Sequence, residues 1–209
     1  MISVVLRTKN EGEWARRSLV AVSNQAWRTV QIIVVDNQSD EATRQIISEF
    51  ECTVASISDA EFTHGRSLNV GIGKADAELV AITSGHCIPV NDRWLQHLAA
   101  HFDDPRVAGV YGRQEPLPDT DDFDKRDLWT TFGIERRLQL KDFMFHNANS
   151  MIRKSVWAEI PFDEEIGGVE DRDWAKKVLA RGYRIIYEPE ASVYHHHGIH
   201  HGRDAGRAA

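Results

Sequence analysis

Short apolar runs alternate along this chain with longer segments whose apolar positions recur every three to four residues. Residues 2–6 form a nearly continuous β-branched run, with Val4, Val5 and Leu6 behind Ile2, and predict a strand buried on both faces, as in a parallel sheet. Residues 13–24 place Trp14, Ala15, Leu19 and Val22 at helical spacing behind an acidic start, which predicts a helix. Ile32, Ile33, Val34 and Val35 predict a second buried strand ending at Asp36. The polar, turn-forming stretch 36–40 then opens a helix with Ile46, Ile47 and Phe50 on one side.

The same rhythm predicts strands over 52–57, 79–83 and 107–111, a helix over 66–74, and another helix carrying Trp94, Leu95, Leu98 and Phe102. Such alternation predicts the α/β class: a mostly parallel, Rossmann-like central sheet with helices on both faces. The rhythm breaks over residues 113–145, which are acidic, carry Pro116 and Pro118, and predict one helix over 125–138. An irregular insertion of that length within a domain is usually functional or mobile. A strand over 150–153, a helix over 171–181 and a strand over 184–187 follow, and the chain closes with a histidine-rich segment from Tyr194 to His201. No internal repeat or low-complexity linker interrupts it. The expected organisation is a single domain over 1–201 with 202–209 as a tail.

At 209 residues, with 42% apolar and 27% charged positions, the chain has ordinary globular composition and length enough for one sizeable core. A net charge of −7 argues against a nucleic-acid partner, which calls for a basic stripe, so any bound phosphate must be met locally. Cys52 and Cys87 lie in no C-x-x-C pair, which fits a reducing compartment. The N-terminal apolar run is too short for a signal peptide or a span, and no other segment approaches about eighteen consecutive apolar residues. The expected location is the cytoplasm, with any membrane contact peripheral.

In open α/β sheets, ligands bind outside the carboxyl ends of strands, and Thr8, Asp36 and residues 84–86 all fall just past such ends. Asp36 reads either as a turn residue or as an acceptor for a nucleobase N–H or a ribose hydroxyl. Arg66, at a helix start beside Gly65, reads either as a solvated arginine or as a donor to a base carbonyl or phosphate. Glu170, Asp171 and Asp173 crowd one helix start. They read either as capping with a favourable charge–dipole interaction, which needs only one of them for the cap, or as a site with a task for a carboxylate, since three acids in one turn repel one another. His195 and His197 share one side of an extended segment, with His196 opposite, and two such imidazoles can hold a metal or contact phosphate; the alternative is a polar tail.

Taken in order, Ser3 to Glu11, Gln25, Val34 to Ser39, Gly65 to Asn69 and Glu170-Asp171 resemble glycosyltransferase family 2, the inverting enzymes of GT-A fold. The resemblance implies that Thr8, Asn10, Asp36 and Arg66 hold the nucleotide of a sugar donor, that Asp171 is the catalytic base, and that Glu170 orients it. Stretches 111–114, 145–150 and 170–175 look like a bacterial polysaccharide-building, rhamnosyltransferase-like branch, which implies capsule or O-antigen synthesis. The implied acceptor is a saccharide or lipid-linked saccharide. The implied donor carries a pyrimidine nucleotide, of UDP, dTDP or CDP/CMP type. Trp174 is a candidate acceptor platform, since sugars pack on aromatic rings, or else a core residue. His146 and Asn149 are candidates for the acceptor side.

One departure stands out. Where the family carries Asp-x-Asp to bind the divalent metal on the donor diphosphate, this chain reads Ser84-Gly85-His86. Three readings remain: His86 binds the metal with His195 or His197, shifting preference from Mg2+ towards Mn2+; His86 donates directly to phosphate; or catalysis has been lost. Two rival functions remain as well. A nucleotidylyltransferase would favour a glycine-rich phosphate loop where this chain reads Arg7-Thr8-Lys9-Asn10-Glu11. A non-catalytic nucleotide-binding module of a larger polysaccharide-synthesis protein would bind without transfer.

Overall fold

Nine strands share one sheet in the computed structural model, which describes residues 1–196. Its N-terminal half is parallel: β1 (Ile2–Thr8) lies between β2 (Val30–Asp36) and β4 (Leu79–Ser84), with β3 (Thr53–Ser56) outside β2. Successive side chains point to opposite faces. Val4 and Leu6 of β1 join Ile32 and Val34 of β2 in one core, while Val5, Ile33 and Val35 join the other. Burial on both faces is the physical reason these strands read as apolar runs rather than as alternating patterns.

Helices α1 (Glu13–Ser23), α2 (Glu41–Ser48) and α4 (Trp94–Ala99) cover the first face through Leu19, Val22, Ile47, Trp94 and Leu98. Helices α3 (His64–Gly73), α5 (Asp122–Thr131), α6 (Lys154–Glu159) and α7 (Glu170–Ala180) cover the second through Leu68, Ile72, Leu128, Val156, Trp174 and Val178.

Beyond β4 the sheet is mixed. Strand β8 (Asn149–Arg153) runs antiparallel to both β4 and β6 (Val107–Glu115), β9 (Arg184–His195) runs parallel to β6, and β5 (Cys87–Pro89) and β7 (Arg137–Gln139) pair antiparallel with β9. The parallel order expected from the sequence therefore holds across β3-β2-β1-β4 and returns at β6-β9, with β8 reversed between them. The insertion explains the reversal. It leaves β6 and enters β8 at the same, carboxyl-end edge of the sheet, so β8 must run back against β6.

The expected helix over 125–138 is corrected. Helix α5 ends at Thr131, and residues 137–139 form β7, held by pairing with β9. That partner is distant in sequence, so local periodicity carries no trace of it. Strand β9 runs well past the expected 184–187 because its irregularity is absorbed in the pairing: Gly112 is level with Glu188 and Gln114 with Val193, so the stretch around Pro189 bulges out. The strands come very close there. A Cβ on Gly112 would sit 1.8 Å from the Ala191 carbonyl oxygen.

Candidate active site

Register brings the strand ends together as expected. Thr8 is the Cα partner of Asp36, and Arg7 of Ser84. The Asn37 N–H donates to the Thr8 carbonyl (3.0 Å), and the Gly85 N–H to the Arg7 carbonyl (2.7 Å). Thr8 Oγ1 is buried without a hydrogen-bond partner. Asp36 is buried and accepts the Ser39 N–H at 3.2 Å, so it serves its turn with one oxygen. Asn10, at φ 54°, ties the two flanking loops: its N–H donates to Ser39 Oγ (2.9 Å) and its Oδ1 accepts the Asp40 N–H (2.7 Å). Arg66 sits in the first turn of α3, where Thr63 Oγ1 caps its N–H, and its exposed guanidinium lies 3.5 Å from Glu61 and 3.8 Å from Glu164.

The turn between β4 and β5 lays His86 against the loop after β1. A Cβ on Gly85 would come 2.9 Å from Thr8 Oγ1 and 3.1 Å from Glu11 Cγ, so glycine is what permits this approach. A row of four buried side chains results. His86 Nδ1 is 2.9 Å from Glu11 Oε1, His86 Nε2 is 3.1 Å from His195 Nε2, and His195 Nδ1 is 2.6 Å from Gln114 Oε1. The two rings are stacked, nearly parallel at 9°, with centroids 5.0 Å apart. Cys87 Sγ lies in the same cluster, its thiol pushed well up by burial. His197 lies outside the described residues.

Two imidazole nitrogens bound about 2.1 Å from one ion at angles between a right angle and the tetrahedral value are roughly 3.0–3.4 Å apart. The His86–His195 contact at 3.1 Å serves equally as a hydrogen bond between the rings, and with Cys87 the two histidines place their donor atoms within 4.8 Å of one another, a donor set of the kind a divalent ion accepts.

Asp171 lies in the first turn of α7, a helix with Val169 at the N-cap position and no side-chain cap. Capping therefore does not explain the acids. Asp173 pairs with Lys177 at 2.6 Å, and Glu170 is buried. The half-buried Asp171 carboxylate accepts the Arg172 N–H (2.7 Å) and the backbone N–H of Asn147. Burial, reinforced by the neighbouring Glu170 charge, raises its pKa to about 6 against the pull of those two N–H groups. Arg7 feels the charges of both acids from the end of β1. Asp171 thus faces the same sheet edge as the strand-end residues, with a pKa suited to accepting a proton near neutrality.

Residues 3–160 match the model of glycosyl transferase family 2. The chain belongs to this family. Within it, the chain is 26% identical over 208 residues to the O-antigen chain rhamnosyltransferase RfbN of Salmonella typhimurium, covering 94% of this chain and 66% of that protein. It is 28% identical over 211 residues to the O-antigen chain rhamnosyltransferase WbaN of Salmonella anatum, covering 93% and 66%. The chain thus spans just under two thirds of the length of these relatives. In fold it is similar to the mannosyltransferase PcManGT from Pyrobaculum calidifontis, solved with GDP-Man and Mn2+ (TM-score 0.75, 18% identity, 95% of this chain and 57% of that one). It is also similar to S. aureus TarS in complex with UDP-GlcNAc (TM-score 0.70, 18% identity, 92% and 57%).

Two acceptor-side expectations for this family 2 chain are corrected. Trp174 is fully buried in the second core and donates its Nε1–H to the Ile160 carbonyl (2.9 Å), so it cannot offer a face to a sugar. Its helical spacing was a core signal. Asn149 is equally buried, and its amide is used up internally: Oδ1 accepts from Trp94 Nε1 (2.8 Å), and Nδ2 donates to the carbonyls of Arg113 (2.9 Å) and Ala191 (2.7 Å). His146 stays at the edge of the site, half-buried, with Nδ1 accepting the Ala148 N–H at 3.3 Å. Sequence reading missed Glu11, Gln114 and Asn147. The first two stand in stretches that carried the family resemblance, yet their partners lie 75 and 81 residues away. Asn147 Nδ2 is buried without a partner close to Asp171, while Ser150 Oγ donates to its Oδ1 (3.2 Å).

Proposed function

We propose that this family 2 chain transfers a glycosyl group, with inversion, from a nucleotide sugar to an acceptor hydroxyl during bacterial surface polysaccharide synthesis. The observation that carries the reading is Asp171: a half-buried carboxylate, uninvolved in capping, raised to about 6, beside the carboxyl ends of β1 and β4. In the proposed step Asp171 takes the acceptor hydroxyl proton while the oxygen attacks the anomeric carbon. The bond from that carbon to the phosphate oxygen breaks, and the nucleotide leaves with the electron pair. A single displacement inverts the configuration. Such a base typically supplies roughly a hundred- to ten-thousand-fold in rate.

Thr8, Asn10, Asp36 and Arg66 hold the nucleotide in this reading, and the unpartnered Thr8 Oγ1 supports a ligand at that point. His86 and His195, with His197 as a further candidate, would hold a divalent ion, Mn2+ or Mg2+. When bound, the ion supplies positive charge to the departing phosphate. Glu170 keeps the field at Asp171 negative, and Asn147 fixes its carboxylate through the backbone N–H. The rhamnosyltransferase names of the relatives favour a deoxyhexose donor on UDP, dTDP or a CDP/CMP-type nucleotide and a saccharide or lipid-linked acceptor. Among the described residues no helix is long and apolar enough to cross a membrane, which is compatible with a cytoplasmic enzyme meeting such an acceptor peripherally.

Incubation with a panel of UDP-, dTDP-, CDP/CMP- and GDP-sugars, read as released nucleotide and as glycoside formed, tests the reading. One donor class should be consumed with inversion. Asp171→Asn should keep nucleotide binding and lose transfer, and near wild-type turnover in that variant would remove Asp171 from the mechanism.

A further inference from the structure

Eleven large apolar side chains are exposed among the described residues, and six of them, Phe123, Trp129, Ile134, Leu138, Leu140 and Phe143, fall within residues 123–143 of the insertion between β6 and β8. Exposed apolar groups scattered singly are ordinary, but a concentration of them marks an interaction surface. The aromatic members stand out. Of the six tryptophans in the chain Trp129 alone is exposed, at 56%, and Phe143 is exposed at 47%.

Both rings are held out by fixed surroundings. Asp121 caps α5 by accepting the Phe123 N–H (2.9 Å), and just past its other end the Gly133 carbonyl accepts the Tyr187 hydroxyl (2.6 Å). Leu128 and Phe132, one turn apart, are buried in the second core, and Trp129 beside them is turned outward. Phe143 sits on a turn clamped from inside: the buried Gln139 Nε2 donates to the carbonyls of Asp142 (2.7 Å) and Met144 (2.8 Å), on either side of it. Both elements lead to the base. Phe132, three residues after Trp129, meets the His146 ring edge to face at 5.9 Å. Phe143 precedes Asn147 by four residues, at most about 14 Å of extended chain, and the Asn147 N–H donates to the Asp171 carboxylate.

We propose that Trp129 and Phe143 are the platforms of an acceptor subsite, binding pyranose rings of a saccharide chain beside the unit whose hydroxyl reacts. The inference rests on the proposed glycosyl transfer and deepens it, since it assigns residues that select the acceptor. A pyranose presents a face of C–H groups that packs on an aromatic ring and a rim of hydroxyls that need hydrogen-bond partners. Arg126, three residues from Trp129 on α5 and so on its side of the helix, brings exposed guanidinium donors to that rim, with the Asp127 carboxylate 2.6 Å from it. The charge of the insertion favours this occupant over a lipid surface. Residues 113–145 carry eight acids against six bases, so anionic headgroups gain no net attraction, whereas a neutral saccharide uses the charged groups one by one.

The test uses the full 209-residue chain and needs no donor. Nitrogen-resolved NMR observes each tryptophan indole separately, and Trp129→Phe identifies the Trp129 signal. The probes are methyl glycosides of rhamnose, mannose, galactose and glucose and of their di- and trisaccharides. At least one di- or trisaccharide should shift the Trp129 signal on titration. Its affinity, read from the saccharide's own resonances, should fall about 3- to 10-fold in Trp129→Ala and in Phe143→Ala and recover in Trp129→Phe, which keeps a ring. Both side chains are exposed, so the alanine variants should keep the wild-type Tm. Once a donor is known, they should raise the acceptor KM and leave the donor KM unchanged. No shift with any of these saccharides, or alanine variants of wild-type affinity, would overturn the subsite. A Trp129 shift with phosphatidylglycerol vesicles, or on concentrating the chain, without a saccharide response would overturn it in favour of a membrane or self-association surface. Asp171→Asn should keep the saccharide response, so near wild-type turnover in that variant would remove the base and leave the subsite to the titration.

Discussion

Replacing Asp171 by Asn should stabilise the protein while it abolishes transfer. A rise in the carboxyl pKa from 3.8 to about 6 on folding corresponds to about 3 kcal/mol by which the ionised form is disfavoured in the native state. The sign follows from linkage. The native state holds this proton more tightly than the unfolded chain does, so the penalty is absent below about pH 4 and grows to its full size as pH rises through about 6. An asparagine carries no charge and escapes the penalty, but it turns only one oxygen towards the N–H groups of Arg172 and Asn147. Asp171 is also only half-buried, so solvent relieves part of the strain. We expect a net gain of about 1–2 kcal/mol at pH 7.5, or a rise in Tm of roughly 3–6 °C for a domain of this size. Thermal unfolding of wild type and variant at pH 7.5, 6 and 4 measures it, and the two curves should converge at the acid end. Transfer should fall at least about 100-fold with nucleotide binding intact. If Asp171→Asn is instead less stable at pH 7.5, the carboxylate is a helix-end stabiliser and its raised pKa carries no catalytic meaning.

With a saturating donor, the transfer rate should fall as pH is lowered through about 6, approaching tenfold per unit below it, because the base must be ionised; a rate that stays flat down to pH 5 would exclude Asp171. Asn149→Ala should cost about 2–4 kcal/mol in denaturant unfolding, since it strands the Trp94 N–H and two carbonyls in the core, and unchanged stability with a raised acceptor KM would return Asn149 to the acceptor side. Thr8→Val removes a buried hydroxyl that has no partner, so Tm should hold or rise slightly while nucleotide affinity measured by calorimetry drops severalfold; full affinity would mean Thr8 contributes only its backbone.

What was legible in the sequence was what is local. Residues 2–6 and 32–35 announce strands buried on both faces because nothing about their burial depends on a distant partner's identity, and Thr8 and Asp36 inherit their places from the ends of those strands. The carboxyl-edge rule then places Thr8, Asp36 and residues 84–86 together, and the pairing of Arg7 with Ser84 is the register that does so in the fold. The errors arose where side chains or strands are committed to remote neighbours. Leu138 reads as the end of a helix and is a strand residue because Ile186 pairs with it, and Asn149 reads as a polar edge residue because its three partners lie 55, 36 and 42 positions away. Trp174 shows the limit from the other side, since a tryptophan one turn after an acid has the same local sequence whether it faces a sugar or, as here, Phe145 and Phe162.

The departure from Asp-x-Asp belongs to this second kind and changes how the site is understood. Read alone, Ser84-Gly85-His86 is the loss of two carboxylates. In the fold a carboxylate is still within 2.9 Å of the position, supplied by Glu11 from the neighbouring strand end and directed at the far side of His86 rather than at the open edge. Negative charge has moved back one layer, and nitrogen has come forward. The second nitrogen comes from His195, 109 residues later, and only the parallel pairing of β9 with β6 and the short antiparallel pairing with β5 bring it level with His86. In the proposed metal-bound form, a nitrogen pair would discriminate among ions by ligand softness as well as by charge, which an exposed carboxylate pair does not. The ratio of Mn2+ to Mg2+ affinity in that proposed form is the quantity in which this substitution would be most visible, ahead of any change in the base, whose pKa is set by burial, Glu170, Arg172 and Asn147.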